Sequence, residues 1–277
     1  MKKSLVGALG VVCALLFAVA GTAPAVGAPP ATVKAVNFAG TVALSNCSGS
    51  VIRMPNSQPG DPALVLSNGH CLETGFPGAG EVITDQPSSR TFSLLGASGS
   101  RVATLRAHKV SYATMTDTDI SIYELTQTYA QIQRSYGISA LTLNDRHPVA
   151  GSAIKVVSGY WKRIYSCNVD GFVYRLKEGD WTWRDSVRYT SSCNTIGGTS
   201  GSPVIDTTTG KVVAVNNTGN EDGATCTVNN PCEVDENGNV TIHQGINYAQ
   251  ETYIIVPCIG IGNKVDLSLP GCTLPKP

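Results

Sequence analysis

Gly198-Thr199-Ser200-Gly201-Ser202-Pro203, taken with His70-Cys71 and Asp119 upstream, decides how this chain is read. A serine in a glycine-rich turn, preceded by one histidine and then one aspartate, supplies the parts of an acyl-transfer site. A serine hydroxyl is a poor nucleophile at neutral pH. It needs an imidazole to take its proton and a buried carboxylate to hold that imidazole in one tautomer. Ser200, His70 and Asp119 are the candidates for these three roles. Glycines on both sides of the serine let the backbone approach a substrate carbonyl closely. The amides of Gly198 and Ser200 are then expected to converge on an oxyanion, where a single donor is worth about 3–4 kcal/mol. Ser202 is the rival nucleophile, but Pro203 follows it and leads straight into a strand.

His70 stands apart from His108, His147 and His243, which read as surface or turn residues. It closes Leu64-Val65-Leu66-Ser67-Asn68-Gly69-His70-Cys71, so an apolar strand delivers it and a cysteine beside it can staple the turn. Asp119 opens Asp119-Ile120-Ser121-Ile122-Tyr123-Glu124-Leu125. An acid at the mouth of an alternating apolar strand is placed for burial and for facing an imidazole. Asp117, two positions earlier, is the rival and lacks that immediate strand.

Residues 1–28 read as a secretory signal peptide. Lys2 and Lys3 precede the apolar run Leu5 to Ala20, and Thr22 to Ala28 offers small residues for cleavage. Cys13 falls inside that run and is lost with it. Without Lys2 and Lys3 the 20 basic residues become 18 against 20 acids, a net charge of −2. Neither a nucleic-acid surface nor an acidic tail fits that balance. About 250 residues remain, enough for one large all-β domain or two small barrels. The eight remaining cysteines, in an exported chain, imply four disulfides, and eight cysteines allow 105 connectivities. No Cys-x-x-Cys and no paired histidine spacing points to zinc.

A short Pro/Ala/Thr-rich arm covers 29–35. From Val36 the chain runs in short apolar segments separated by Gly- and Pro-rich turns, which predicts antiparallel barrels or sandwiches. Expected strands are 36–44, 50–54, 63–67, 91–95, 101–112 and 120–125. A second set covers 153–159, 164–169, 173–176, 187–189, 203–206, 212–216 and 242–247. Thr126 to Gly137 reads as a linker with some helical character. Glu251 to Cys258 fits either a short helix or a strand.

Cys47-Ser48-Gly49-Ser50-Val51-Ile52, Ser67-Asn68-Gly69-His70-Cys71, Asp119-Ile120-Ser121-Ile122 and Gly198-Thr199-Ser200-Gly201-Ser202-Pro203, in that order, resemble trypsin/chymotrypsin-like serine peptidases. The bacterial secreted branch, with its glutamyl-endopeptidase-like members, is the most similar in flavour. The resemblance covers Cys47 to about Gly219. It implies an all-β fold of two antiparallel six-stranded barrels with the active site in the cleft between them. The first barrel (36–137) would carry His70 and Asp119, and the second (138–277, with a C-terminal tail) Ser200. It implies a Cys47–Cys71 bridge behind the histidine. Cys167–Cys193, Cys226–Cys232 and Cys258–Cys272 are the remaining pairings, chosen as sequential neighbours.

By the same resemblance, Ser192 to Thr195 forms one pocket wall, with Asn194 near its base, and Asn217, Thr218 and Gly219 form an edge strand that pairs with a peptide by β-addition. Asn194, Thr195, Asn217, Thr218 and Gly219 are therefore the expected substrate-binding residues, and the pocket is expected to be polar and uncharged. Glutamyl-specific members use a histidine on the edge strand, where this chain has Asn216. Thr199 stands where animal enzymes carry the acid that pairs with a new N-terminus, so activity without such a cut is expected. Asn68-Gly69 replaces the usual small apolar pair before the histidine, which implies a different local turn.

The leading reading is a secreted, monomeric serine endopeptidase acting on peptides or proteins, without nucleic-acid or membrane partners after signal removal. A binding protein that keeps the fold without the chemistry is the main alternative, although such proteins usually lose a triad residue. An esterase would carry its triad in the order Ser, Asp, His on an α/β sheet. Asp235-Glu236-Asn237-Gly238-Asn239 lacks the ligand alternation of a calcium loop and reads as a turn. No cofactor and no metal are assigned.

Overall fold

Short runs rich in Val, Ile, Leu, Thr and Tyr, each ended by a Gly or Pro turn, are too short to bury themselves and must pair edge to edge. They do so twice. The computed structural model describes residues 35–277 together with Met1, Ser4 and Gly7, so most of the expected signal peptide (1–28) and of the arm (29–35) lies outside the described residues. Strands β1 (Thr41–Ala43), β2 (Ser48–Arg53), β3 (Pro62–Ser67), β4 (Val82–Pro87), β5 (Thr91–Leu95), β6 (Arg101–Thr114) and β7 (Ile120–Thr128) come first. Helix α1 (Tyr129–Tyr136) and β8 (Leu141–Thr142) follow. The second set is β9 (Ala153–Ser158), β10 (Arg163–Glu178), β11 (Trp181–Tyr189), β12 (Pro203–Asp206), β13 (Val212–Gly219), β14 (Cys232–Val234), β15 (Val240–Thr241) and β16 (Asn247–Glu251).

The first sheet runs β1-β5-β6-β7-β3-β2 and closes on itself through β1–β2, giving a six-stranded barrel. The second closes through β9-β10-β11-β16-β13-β12 and back to β9, and β14–β15 extends from β10. Closure removes the open edges that exposed strands would otherwise present. This is the double β-barrel fold expected from the chain.

Val42, Val51, Val65, Phe92, Leu94, Leu105 and Tyr123 fill the first barrel. Ile154, Val156, Val169, Val187, Tyr189, Val204, Val213 and Ala249 are among those that fill the second. A third apolar layer joins them. Ile52, Leu64, Leu66, Tyr112 and Ile122 on the outside of the first barrel meet Val157, Ile205, Val212 and Val215 of the second. Strand β3 is thus buried on both faces, which is why Ala63-Leu64-Val65-Leu66 is apolar without alternation.

Some expected bounds shift. The run 36–44 contributes only the three-residue β1. The runs 164–169 and 173–176 are one long β10 with an irregularity between Val169 and Gly171. In the run 242–247 only Asn247 is strand, the first residue of β16, and Tyr253–Cys258 is a 3-10 helix. β4 was not anticipated because most of its residues face solvent and leave no apolar alternation. Residues 141–142, expected in the second barrel, pair with β2 of the first. Helix α1 starts at a capping box: Thr128 Oγ1 accepts from the Gln131 amide and Gln131 Oε1 from the Thr128 amide. Gly137, at φ 68°, ends it in the left-handed conformation.

The C-terminal tail packs against the first barrel. Ile255, Ile259 and Leu274 join the apolar layer on its outer face. Asn263 is buried, donates to the Pro62 carbonyl at 2.8 Å and to Tyr129 Oη at 2.9 Å, and accepts from Ser57 Oγ at 2.8 Å. Disulfides join Cys47–Cys71, Cys167–Cys193, Cys226–Cys232 and Cys258–Cys272. They mark an oxidising, extracytoplasmic setting. Among the described residues no helix is long and apolar enough to cross a membrane.

Asn263→Ala removes three buried hydrogen bonds at once. It is expected to lower unfolding stability by about 1–3 kcal/mol, measured as a lower urea midpoint at unchanged slope.

Candidate active site

His70 leaves β3 in a single 3-10 turn, Gly69–Cys71. The turn is tight because Gly69 carries no side chain: a Cβ there would lie 2.2 Å from the Thr114 carbonyl oxygen. Asn68, fully buried, donates from Nδ2 to the Asp119 carbonyl at 2.7 Å, and its own carbonyl accepts from Ser121 Oγ at 2.7 Å. The departure at Asn68-Gly69 thus has a local use: it pins the histidine turn to the start of β7. Behind the turn, the buried Arg90 donates to the Cys71 carbonyl at 2.6 Å and to Tyr123 Oη at 2.8 Å.

Asp119 is fully buried. Its Oδ2 lies 2.6 Å from His70 Nδ1, and its Oδ1 accepts the His70 amide at 3.1 Å. The carboxylate can only accept from the ring, so Nδ1 carries the proton and Nε2 is left as the basic nitrogen. Burial opposes charge on the His70 ring, but the charge and hydrogen bond of Asp119, helped by the charge of Glu178, outweigh it and raise the pKa. Asp117 faces elsewhere, with Oδ1 2.7 Å from Arg184 Nε.

Ser200 sits in the turn before β12 and lines the same cleft cavity as His70. Its Oγ donates to the Asn217 carbonyl at 3.1 Å. Ser202 is fully buried. The Thr199 amide donates to the Ile196 carbonyl and the Gly201 amide to the Asn216 carbonyl. Among the described residues the amides of Gly198 and Ser200 donate to no other protein group. Gly198 has φ 87°, and a Cβ there would lie 2.9 Å from the Tyr160 ring. Thr199 is buried and accepts from Asn216 Nδ2 at 3.3 Å, a neutral local bond.

The cavity wall includes Thr195, Asn217, Thr218 and Gly219. The Asn217 amide is buried, and neither of its side-chain polar atoms has a partner among the described residues. A Cβ at Gly219 would lie 1.9 Å from Asn247 Nδ2, so a side chain there would displace the Asn247 amide. Thr218 and Gly219 pair with β16 on one side, while β12 runs alongside β13 only as far as Pro203, opposite Val215. Asn194 does not line the cavity and is exposed, contrary to its expected place at the pocket base.

Nor is the cavity uncharged. Glu178, at the tip of the β10–β11 hairpin, and Glu221 both line it. Glu178 is 7% exposed; Oε1 accepts the Asn229 amide at 2.8 Å, and Oε2 has no partner among the described residues. Burial pushes its carboxyl above the ordinary range. The hairpin reaches the histidine side of the cleft by pairing with the loop before Asp119: the Asp117 amide donates to the Thr182 carbonyl and the Arg184 amide to the Asp117 carbonyl. Trp181 Nε1 donates to the Pro77 carbonyl at 2.9 Å, and the Phe76 ring stands edge-on to both His70 and Trp181 at 5.7 Å. No motif marks Glu178. Gly179-Asp180 reveals a hairpin tip, but which hairpin reaches the cleft is a tertiary fact.

Known proteins frame this site. No curated protein matches the chain in sequence. Among solved structures, the HtrA-type protease AlgW, in a variant with a tripeptide, aligns at TM-score 0.50 and 14% identity over 80% of this chain and 59% of its own. The Rv3671c protease of M. tuberculosis in its active form aligns at TM-score 0.49 and 15% identity, over 87% of this chain and 85% of its own. The MamO protease domain of Magnetospirillum magneticum aligns at TM-score 0.49 and 12% identity, over 79% and 95%. The model of the trypsin-like peptidase domain matches residues 47–215, more than half of the chain and all three of the residues gathered around the cleft. With two closed barrels and this match, the chain belongs to the trypsin-like peptidase family.

Proposed function

We propose that the chain is a secreted serine endopeptidase of the bacterial branch, with Ser200 as nucleophile, His70 as general base and acid, and Asp119 as the group that orients His70. The observation that carries this reading is the buried Asp119 carboxylate bonded to His70 Nδ1 in the cleft that also holds Ser200. A peptide extends along Asn217 to Gly219 by β-addition. Ser200 Oγ turns from the Asn217 carbonyl toward His70 Nε2, gives up its proton there and attacks the peptide carbonyl carbon. The oxyanion meets the unengaged amides of Gly198 and Ser200. The imidazolium, held by Asp119, then passes its proton to the leaving amine, and the C–N bond breaks to leave an acyl-serine. Water, deprotonated by His70, releases the acid and restores Ser200.

Glu178 and Glu221 oppose an acidic substrate side chain in the cleft, and Asn216 is buried against Thr199. Both points separate this cleft from a glutamyl-selective one. The neutral anchoring of Thr199 supports activity without a cut N-terminus.

A fluorophosphonate probe is expected to label the purified protein and not the Ser200→Ala variant, whose turnover falls on the order of a millionfold. An unlabelled wild-type protein with its disulfides intact would leave the binding-protein reading in its place. Because catalysis needs neutral His70 and its pKa is raised, kcat/KM should fall with decreasing pH through a value above the ordinary ~6.5 of histidine. Glu178→Gln removes a charge that helps hold the proton on His70. Its acid limb should therefore move to lower pH, with the plateau rate little changed; a limb that stays in place counts against the coupling.

A further inference from the structure

Outside the cleft, one cluster has an electrostatic arrangement that its own hydrogen bonds do not satisfy. His147, in the segment entering the second barrel, meets Asp185 of β11 and Glu251 at the end of β16. His147 Nε2 lies 2.9 Å from Glu251 Oε1 and 3.1 Å from Asp185 Oδ2. One ligand atom from each of the three residues falls within 4.8 Å of the other two.

The other ring nitrogen, Nδ1, lies 2.7 Å from the Pro148 carbonyl oxygen, which can only accept. The proton of the neutral ring therefore sits on Nδ1, and Nε2 turns its lone pair toward two carboxylates. A protonated ring would aim its Nε2–H at Asp185, where the hydrogen-bond geometry lies, and leave Glu251 without a donor. The Glu251 side chain is only 3% exposed, and neither of its oxygens has a hydrogen-bond partner among the described residues. A buried carboxylate without a donor is costly, and it is relieved either by a proton, toward which burial and the charge of Asp185 push Glu251, or by a cation that takes the proton's place.

The ring is also held in place. Phe172 packs at 4.3 Å and Tyr253 at 5.4 Å between centroids. A backbone acceptor on Nδ1 and a packed ring are what orient an imidazole ligand toward a metal. His147 and Asp185 are partly exposed, at 39% and 47% of the side chain, which leaves a path for an ion and room for water in the remaining positions.

We propose that His147, Asp185 and Glu251 form a binding site for a divalent transition-metal cation of the zinc type. One imidazole nitrogen with two carboxylate oxygens suits such a cation better than calcium, which takes six to eight oxygen ligands. The ion ties the chain entering the second barrel to two of that barrel's strands, away from the catalytic cleft. The three residues are far apart in sequence, so no ligand spacing announces them. The other compact group, Cys47, His70 and Cys71, is no rival because both of its cysteines are in a disulfide.

The test is zinc titration of the metal-stripped protein, followed by calorimetry and thermal unfolding. It is made in the Ser200→Ala background so that self-cleavage does not intrude. One saturable zinc site and a melting temperature that rises with zinc are expected. Asp185→Asn and His147→Gln should each weaken that site by more than about tenfold, while His70→Gln leaves it unchanged. Asp185 has φ 51°, a conformation asparagine tolerates, so Asp185→Asn keeps the test valid should the buried Glu251→Gln fail to fold. No saturable binding, binding unaffected by Asp185→Asn and His147→Gln, or a shift with calcium and none with zinc would each overturn the assignment.

Discussion

The geometry of the cleft depends on one buried residue, Ser48 at the start of β2. Its amide donates to the Ser200 carbonyl at 2.8 Å, and its carbonyl accepts from Ser67 Oγ at 2.8 Å. Its hydroxyl donates to the Gly198 carbonyl at 3.2 Å and accepts the Tyr160 amide at 3.1 Å. Its neighbour Cys47 is bonded to Cys71, beside His70. A single residue of the first barrel therefore holds the serine turn of the second and the strand that delivers the histidine. Each bond is worth only about 1 kcal/mol net, but its effect is positional. A displacement of about 1 Å at reacting groups can cost on the order of a hundredfold in rate. Gly201 makes the approach possible, since a Cβ there would lie 2.1 Å from the Ser48 carbonyl oxygen.

Around that seam the polar groups divide by role. Asp119 is buried with its carboxylate engaged by His70, and Asn68 holds the backbone on which it sits. Low local dielectric strengthens such bonds and makes their loss costly. Thr199 and Asn216 settle the serine turn with neutral groups. Glu178 and Asn217 keep buried polar atoms without partners and face the cleft instead. Unsatisfied polar atoms are rare in protein interiors, and these line the cleft cavity.

Much of this was legible in the chain. Antiparallel barrels or sandwiches followed from short apolar runs with regular turns, the resemblance to trypsin-like peptidases narrowed these to two barrels, and the candidate residues came from motifs whose chemistry demands particular side chains. Asp119 could be separated from Asp117 by the strand that follows it, and the two do part in space, one toward His70 and the other toward Arg184. The misjudged parts have common causes. β4 is solvent-facing and carries no alternation. Asn194 was placed by analogy along the chain, but it is exposed and outside the cavity lining. The acid in the cleft escaped notice because Glu178 arrives on a hairpin tip more than a hundred residues from His70.

Sequence by itself determined which residues can do chemistry and that the chain must build antiparallel β-structure, because side-chain type and local periodicity are local properties. Only the tertiary structure decided what meets what. It laid the tail and Asn263 on the first barrel, brought Glu178 beside the cleft and set His147 between two carboxylates. These meetings are made by barrel closure and by the seam between the barrels, whose contacts span tens to hundreds of positions and leave no periodicity in the chain.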